Sequence, residues 1–269
     1  MSRTSAATRS PLTKIAIEHR SQPAWNPRDG ATLDALREKW QTVPGSADRV
    51  RTGGLAALGD ADLLAFWHRQ VRDATTGESF SVRGWYHHLY KDVLKGKRVL
   101  DVGAGLGIDG LTFAPITQHI TLLDIVEENV ANTTRLSRLL GCDDRVTPFY
   151  MEDLQSLSQL GEFDVIWCQG SLINAPFDFV RAEIQALLEH LAIGGRWIEL
   201  AYPQQRWERE GRLPFEKWGE KTDGQGTPWV EWYGLDKLLA ALSPAQFDVV
   251  LHFNFHNDDF NWFDLVRRA

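Results

Sequence analysis

Val99-Leu-Asp-Val-Gly-Ala-Gly-Leu-Gly-Ile-Asp-Gly110 is the stretch whose reading decides the fold. Residues 99–102 read as a buried strand, which runs straight into glycines at 103, 105 and 107. Glycine lets a backbone turn sharply and approach a ligand with no Cβ in the way. A helical pattern follows, and the first N–H groups of a helix lack partners of their own and point into the same space. A plain structural turn does not need three alternate glycines, so the unit reads as a ligand cradle.

Outward from this loop, short apolar runs alternate with helical patterns. Strands are expected at 98–102, 120–124, 146–150, 163–168 and 196–201, and helices near 107–116, 127–140, 154–160 and 178–192. Such alternation argues for a parallel sheet covered on both faces. The end differs: 247–255 and 260–267 are strand-like runs joined by the polar turn His256-Asn-Asp-Asp259, which predicts an antiparallel hairpin closing the sheet.

Upstream, residues 1–32 are polar, punctuated by Pro11, Pro23 and Pro27, and read as a flexible arm. Leu33, Leu36 and Trp40 give 32–42 the spacing of an amphipathic helix, and Pro44-Gly45 breaks it. Residues 60–74, with Asp60 as a possible N-cap, and the aromatic-rich 80–94 are further helices. The expected organisation is an arm over 1–32, a helical cap over 33–95 and an α/β domain over 96–269, with a covering insertion at 202–233.

The chain has 269 residues, 43% hydrophobic and 24% charged, with a net charge of −7. That is the balance of a globular protein, not of a disordered one. No apolar run of about 18 residues exists, so no membrane span is expected. The acidic balance argues against a broad nucleic-acid footprint. Cys142 and Cys168 are too few for a disulfide framework or a closed zinc site, which fits a reducing cytoplasm. The basic, Ser/Thr-containing first 20 residues bear a faint likeness to a transit peptide, but an arm is the simpler reading.

Two cofactor classes compete for the loop. The dinucleotide pattern G-x-G-x-x-G, counted from Gly103, would need a third glycine where Ile108 stands. Counted from Gly105 it fits Gly105, Gly107 and Gly110, but starts two residues late. Asp101 would also sit poorly beside a pyrophosphate.

Asp101-Val-Gly-Ala-Gly-Leu-Gly107 resembles the D/E-x-G-x-G-x-G motif of the class I S-adenosylmethionine-dependent methyltransferases. Leu122-Leu-Asp124 is similar to that family's second strand ending in an acid, 23 residues after Asp101. Met151-Glu-Asp153-Leu154 resembles the acidic turn after the third strand, and Phe163-Asp-Val-Ile-Trp-Cys-Gln169 the fourth strand with its polar exit. Leu191-Ala-Ile-Gly-Gly-Arg-Trp-Ile198 resembles the Gly-Gly turn into the fifth strand. The resemblance covers roughly residues 85–269. It implies a Rossmann-like α/β fold, with a seven-stranded, mostly parallel sheet, a C-terminal antiparallel hairpin and a helical N-terminal cap. S-adenosylmethionine is the implied cofactor.

On this resemblance Asp101, Gly103, Ala104, Gly105 and Gly107 form the donor loop, where an acid has a cationic ligand to attract. Asp124, with Ile125 beside it, would accept from the ribose hydroxyls, or cap the following helix. Asp153 would accept from the adenine amino group, with Leu154 facing the ring. Gln169 would face the methionine moiety or the acceptor.

The acceptor site would lie beyond the carboxyl ends of the strands, under the aromatic-rich cap and insertion. Trp85, Tyr86, Tyr202, Trp229, Trp232 and Tyr233 are candidates to stack on an acceptor. His87, His88, Glu199 and Glu231 are candidate bases. Gly170-Ser-Leu-Ile-Asn174-Ala-Pro176 is not the N/D-P-P-Y/F motif of amino-methylating DNA enzymes. Cys168 lacks the preceding proline of cytosine-C5 enzymes, and no acidic pair after strand four suggests a magnesium site. The expectation is metal-independent methyl transfer to an oxygen or nitrogen of a small-molecule or sugar-like acceptor, with no nucleic-acid or membrane partner. An NAD(P)-dependent oxidoreductase and a non-catalytic S-adenosylmethionine-binding subunit remain the alternatives.

Overall fold

The computed structural model describes residues 30–42, 52–76 and 84–269. The arm expected over 1–29, the break at Pro44-Gly45 and the first four residues of the helix expected at 80–94 lie outside the described residues. The rest of that arm, 30–32, already belongs to the first helix.

Helices α1 (Gly30–Thr42), α2 (Thr52–Ala56), α3 (Asp60–Thr76), α4 (Gly84–Leu89) and α5 (Lys91–Leu94) precede the sheet. In α3, Leu63, Phe66 and Trp67 recur at helical spacing and are buried, which sets the face it turns inward. Asp60 is its first residue rather than its cap, and the carboxylate binds Arg135 Nε at 2.6 Å. The helix expected over 80–94 is two pieces interrupted at Tyr90, whose N–H still donates to Tyr86 O at 2.9 Å.

The sheet runs β1 (Arg98–Val102), β2 (His119–Asp124), β3 (Val146–Tyr150), β4 (Phe163–Gln169), β5 (Leu191–Ala201), β6 (Phe247–Phe255) and β7 (Phe260–Arg267). Helices α6 (Ile108–Phe113), α7 (Glu127–Leu139) and α8 (Phe177–Leu188) connect the parallel strands. Between β5 and β6 lie α9 (Gln204–Arg209), α10 (Phe215–Thr222) and α11 (Leu235–Leu242). The strand order is β3-β2-β1-β4-β5-β7-β6, with β7 antiparallel to both neighbours. The helix expected at 154–160 is one 3₁₀ turn, Ser156–Gln159.

Both faces of the sheet's centre are buried, as alternate side chains of β4 show, whereas the edge strand β6 is exposed through Val249–Leu251. Ile166 and Cys168 of β4 pack with α1, α8 and α11, whereas Val165 and Trp167 pack with α3, α4 and α6. β5 is longer than its pattern predicts. Leu191 pairs with Phe163 and Arg196 with Val165, so residues 192–195 bulge opposite Asp164. The bulge leaves Ile193 exposed and restores register before the functional end of the strand.

Candidate functional site

The carboxyl ends of β1, β2 and β4 meet at one cavity of about 410 Å³. Its floor is the glycine loop. Gly103 and Ala104 donate from their N–H groups to Leu123 O, which hooks the loop over β2. Gly103 has φ +70°, and a Cβ there would stand 2.5 Å from Ser171 Cβ. Gly105 has φ +56°, and a Cβ there would meet no atom within 4 Å. The two positions differ: one is close backbone approach, the other opens onto the cavity.

Asp124 fastens this loop. Its Oδ2 accepts from Gly105 N at 2.7 Å, and Oδ1 accepts from Val126 N at 2.8 Å and Asn129 Nδ2 at 3.2 Å. Burial pushes its carboxyl up, against the opposing pull of these donors. With three donors in place, the helix-start role and a ligand-facing role share one carboxylate.

Asp101, Gly103, Ala104 and Gly105 line the cavity from the loop, Asp124 and Ile125 from the exit of β2, and Gln169 from the exit of β4. Tyr86 and Tyr202 also reach it. Both amide atoms of Gln169 are buried there without a protein hydrogen-bond partner, an arrangement suited to a polar ligand. Gly107 sits just before α6, and its carbonyl accepts from Leu111 N at 2.9 Å.

Other expected residues stand elsewhere. Asp153 is exposed and caps the 3₁₀ turn, its Oδ1 accepting from Ser156 N at 2.8 Å. Leu154 packs on the core, and Met151 takes the place at the cavity wall. His87 is buried between Tyr86 and Phe113, with Nε2 3.0 Å from Asp109 Oδ1, and His88 is exposed. Neither histidine lines the cavity. Trp85 packs against Phe253, Phe255 and Trp262 of the terminal hairpin. Glu231 anchors the insertion: its carboxylate accepts from Trp229 Nε1, Phe177 N and Lys237 Nζ. Lys237 Nζ also lies 4.4 Å from the Trp232 ring and 4.7 Å from that of Tyr233. Glu199 is fully buried on β5, where Trp197 Nε1 donates to Oε2 at 2.8 Å and Oε1 has no partner. Burial pushes the Glu199 carboxyl up to about 8.

Sequence reasoning missed several wall residues. Leu33, Leu36 and Trp40 of α1 cover the cavity, although their spacing showed only a helix. Arg37 on the same helix donates to Ile125 O at 3.2 Å, Met151 O at 3.0 Å and Glu152 O. Lys39 Nζ reaches Asp223 O at 3.2 Å and Gln225 O at 3.0 Å. The C-terminal half of the helix is thus pinned to the exits of β2 and β3 through Arg37 and to the insertion through Lys39. Asp109 gathers Tyr86, His87 and Trp167, and its signal was an acid in the first turn of a helix after the glycines. Asp223 Oδ1 accepts from Tyr202 OH at 2.8 Å and Oδ2 from Asn174 Nδ2 at 3.1 Å. Burial and Asp223 together hold the Tyr202 phenol well above its usual range.

The wall therefore carries the carboxyls Asp101, Asp109, Asp124, Glu183 and Asp223, and no Lys, Arg or His among the described residues lines it. The other doubly wound order, 3-2-1-4-5-6, binds dinucleotides across the same crevice. Here an antiparallel β7 stands between β5 and β6.

Magnesium protoporphyrin IX methyltransferase (ChlM) from Synechocystis PCC 6803, solved with bound S-adenosylmethionine, superposes with a TM-score of 0.56. It is 15% identical, over 93% of this chain and 100% of that one. The fold is that of the class I methyltransferases. N-methyltransferase NodS from Bradyrhizobium japonicum WM9, in complex with S-adenosylhomocysteine, gives a TM-score of 0.52 at 15% identity, over 77% of this chain and 98% of that one. In sequence, 109 residues are 33% identical to the ubiquinone biosynthesis O-methyltransferase of Bordetella parapertussis. That match takes in 39% of this chain and 42% of the relative, less than half the relative's length. No protein-family profile matches the chain.

Proposed function

We propose that the protein is an S-adenosylmethionine-dependent methyltransferase acting on a small molecule. The observation that carries this reading is the sign of the cavity. Five carboxyls and no cationic side chain line it among the described residues. Such a wall repels the pyrophosphate of a dinucleotide and attracts a ligand bearing a sulfonium and an ammonium. The unpartnered amide of Gln169 and the open space beyond Gly105 give that ligand somewhere to bond and to lie.

S-adenosylmethionine would supply an electrophilic methyl group. Asp101 would hold the ammonium, and Asp124 would accept from the ribose with the lone pairs its three protein donors leave free. Gln169 would orient the amino-acid end. Met151 and Ile125 would pack against the adenine, in the place the sequence assigned to Asp153 and Leu154. Leu33, Leu36 and Trp40 would exclude water once the site is filled. Positioning and exclusion supply much of the rate of a displacement of this kind.

The buried free thiols Cys142 and Cys168 accord with a reducing, cytoplasmic setting. The test is a thermal melt with S-adenosylhomocysteine beside one with NADH. A ligand of the native state raises the Tm by mass action. A rise with the first and none with the second is expected; the reverse would refute the reading.

A further inference from the structure

The acidic wall is not used up by the donor reading. Asp109 is occupied by Tyr86, His87 and Trp167, and Asp124 by three N–H donors. Asp101 is assigned to the donor. Glu183 and Asp223 remain. Asp223 is held in one orientation by Tyr202 and Asn174, with Lys39 behind it on the carbonyls of 223–225. Glu183, on the inward face of α8, is half-buried and lines the cavity, and no protein hydrogen bond or ion pair reaches its carboxyl among the described residues. Burial without a compensating donor pushes its carboxyl up to about 7. Its charge in turn raises Glu199 of β5, Cys168 of β4 and Tyr233 across the core, none of them a cation. Glu199 is itself fully buried with Oε1 unpartnered. Trp40, Tyr202 and Phe260 add aromatic surface to the same cavity.

A half-buried carboxyl with no protein partner costs stability, and an incoming cation removes that cost. Aromatic faces beside it favour the same charge. We propose that Glu183 selects an amine-bearing acceptor, pairing with its ammonium inside the cavity while Asp223 and the aromatic walls seat the rest. This inference rests on the methyltransferase reading and names the substrate class of that site. Acidic acceptors, whether carboxylates or phosphates, are excluded by the same wall.

The experiment uses three probes of one shape and different charge: β-phenylethylamine, 2-phenylethanol and phenylacetate. Each is titrated calorimetrically into the full chain near neutral pH, with and without S-adenosylhomocysteine. The amine is expected to bind about tenfold or more tighter than the alcohol, with the acid weakest. Pairing with ammonium ionises Glu183, so amine binding releases a proton, read from the dependence of the heat on buffer ionisation enthalpy. Glu183→Gln is expected to abolish both the preference and the proton release, and Asp223→Asn to weaken the preference while keeping the release. Equal binding of all three, binding of the acid in preference, or no binding of any at millimolar concentration overturns the inference. So does a Glu183→Gln protein that behaves as wild type. Failure of S-adenosylhomocysteine itself to bind is a separate result and counts against the donor site.

Discussion

The Asp124 carboxylate accepts a hydrogen bond from the Gly105 amide at 2.7 Å, tying the end of β2 to the middle of the glycine loop. Its other oxygen receives Val126 N and Asn129 Nδ2 at the start of α7. One side chain therefore sets the loop, the strand exit and the helix start. Asp124→Ala strands these donors, each of which costs about 1–3 kcal/mol when buried and unsatisfied. We expect a loss of about 3 kcal/mol in all, seen as a lower urea midpoint with an unchanged slope.

Gly103 and Gly105 separate stability from binding. At Gly103 a methyl group would overlap Ser171, so Gly103→Ala should lower the Tm strongly. At Gly105 it meets nothing within 4 Å and the strain is that of φ +56°, about 1–2 kcal/mol. Gly105→Ala should melt close to wild type and yet bind S-adenosylhomocysteine about tenfold more weakly, because its methyl enters the cavity. Equal losses of affinity in the two variants would contradict this division.

Burial raises Glu183 to about 7 and Glu199 to about 8, both from an ordinary value of 4.5. Between those values the native state holds more protons than the unfolded chain. The contribution is fully present below about 4.5 and is lost as pH rises through 7 to 8. Stability should therefore fall across that window. Glu183→Gln should flatten part of the fall and be about 2 kcal/mol more stable than wild type at pH 8, measured by urea unfolding across pH.

Arg37 holds α1 over the cavity through three backbone carbonyls. Arg37→Ala should loosen α1 from the exits of β2 and β3 while leaving Leu33 and Leu36 to pack. A few-fold faster release of S-adenosylhomocysteine is expected, with faster amide exchange in α1 and a global stability change of about 1 kcal/mol. Unchanged exchange in α1 would show that the apolar contacts alone close the lid.

The parts of the fold that announce themselves locally were readable in the sequence. β1, β3 and the terminal hairpin follow the apolar runs at 98–102, 146–150, 247–255 and 260–267. Asp101, Gly103, Ala104, Gly105 and Asp124, read from the motif, line the cavity, and Gly107 stands outside it before α6. What was not readable depends on packing between distant segments. The spacing of Leu33, Leu36 and Trp40 shows a helix face but not that the face covers the exits of β2 and β3. Glu183 interrupts the apolar face of α8 by one residue and carries no pattern of its own. Asp153 and Glu231 look like site acids in sequence, and only the fold shows one capping a turn and the other anchoring the insertion. The bulge at 192–195 left the start of β5 unmarked.

The most direct test of the donor site is calorimetric titration of S-adenosylhomocysteine into the wild-type protein and into Asp124→Ala, below the melting temperature of both. The wild type is expected to bind in the micromolar range and the variant not at all. No binding to the wild type, with NADH binding in its place, would contradict it.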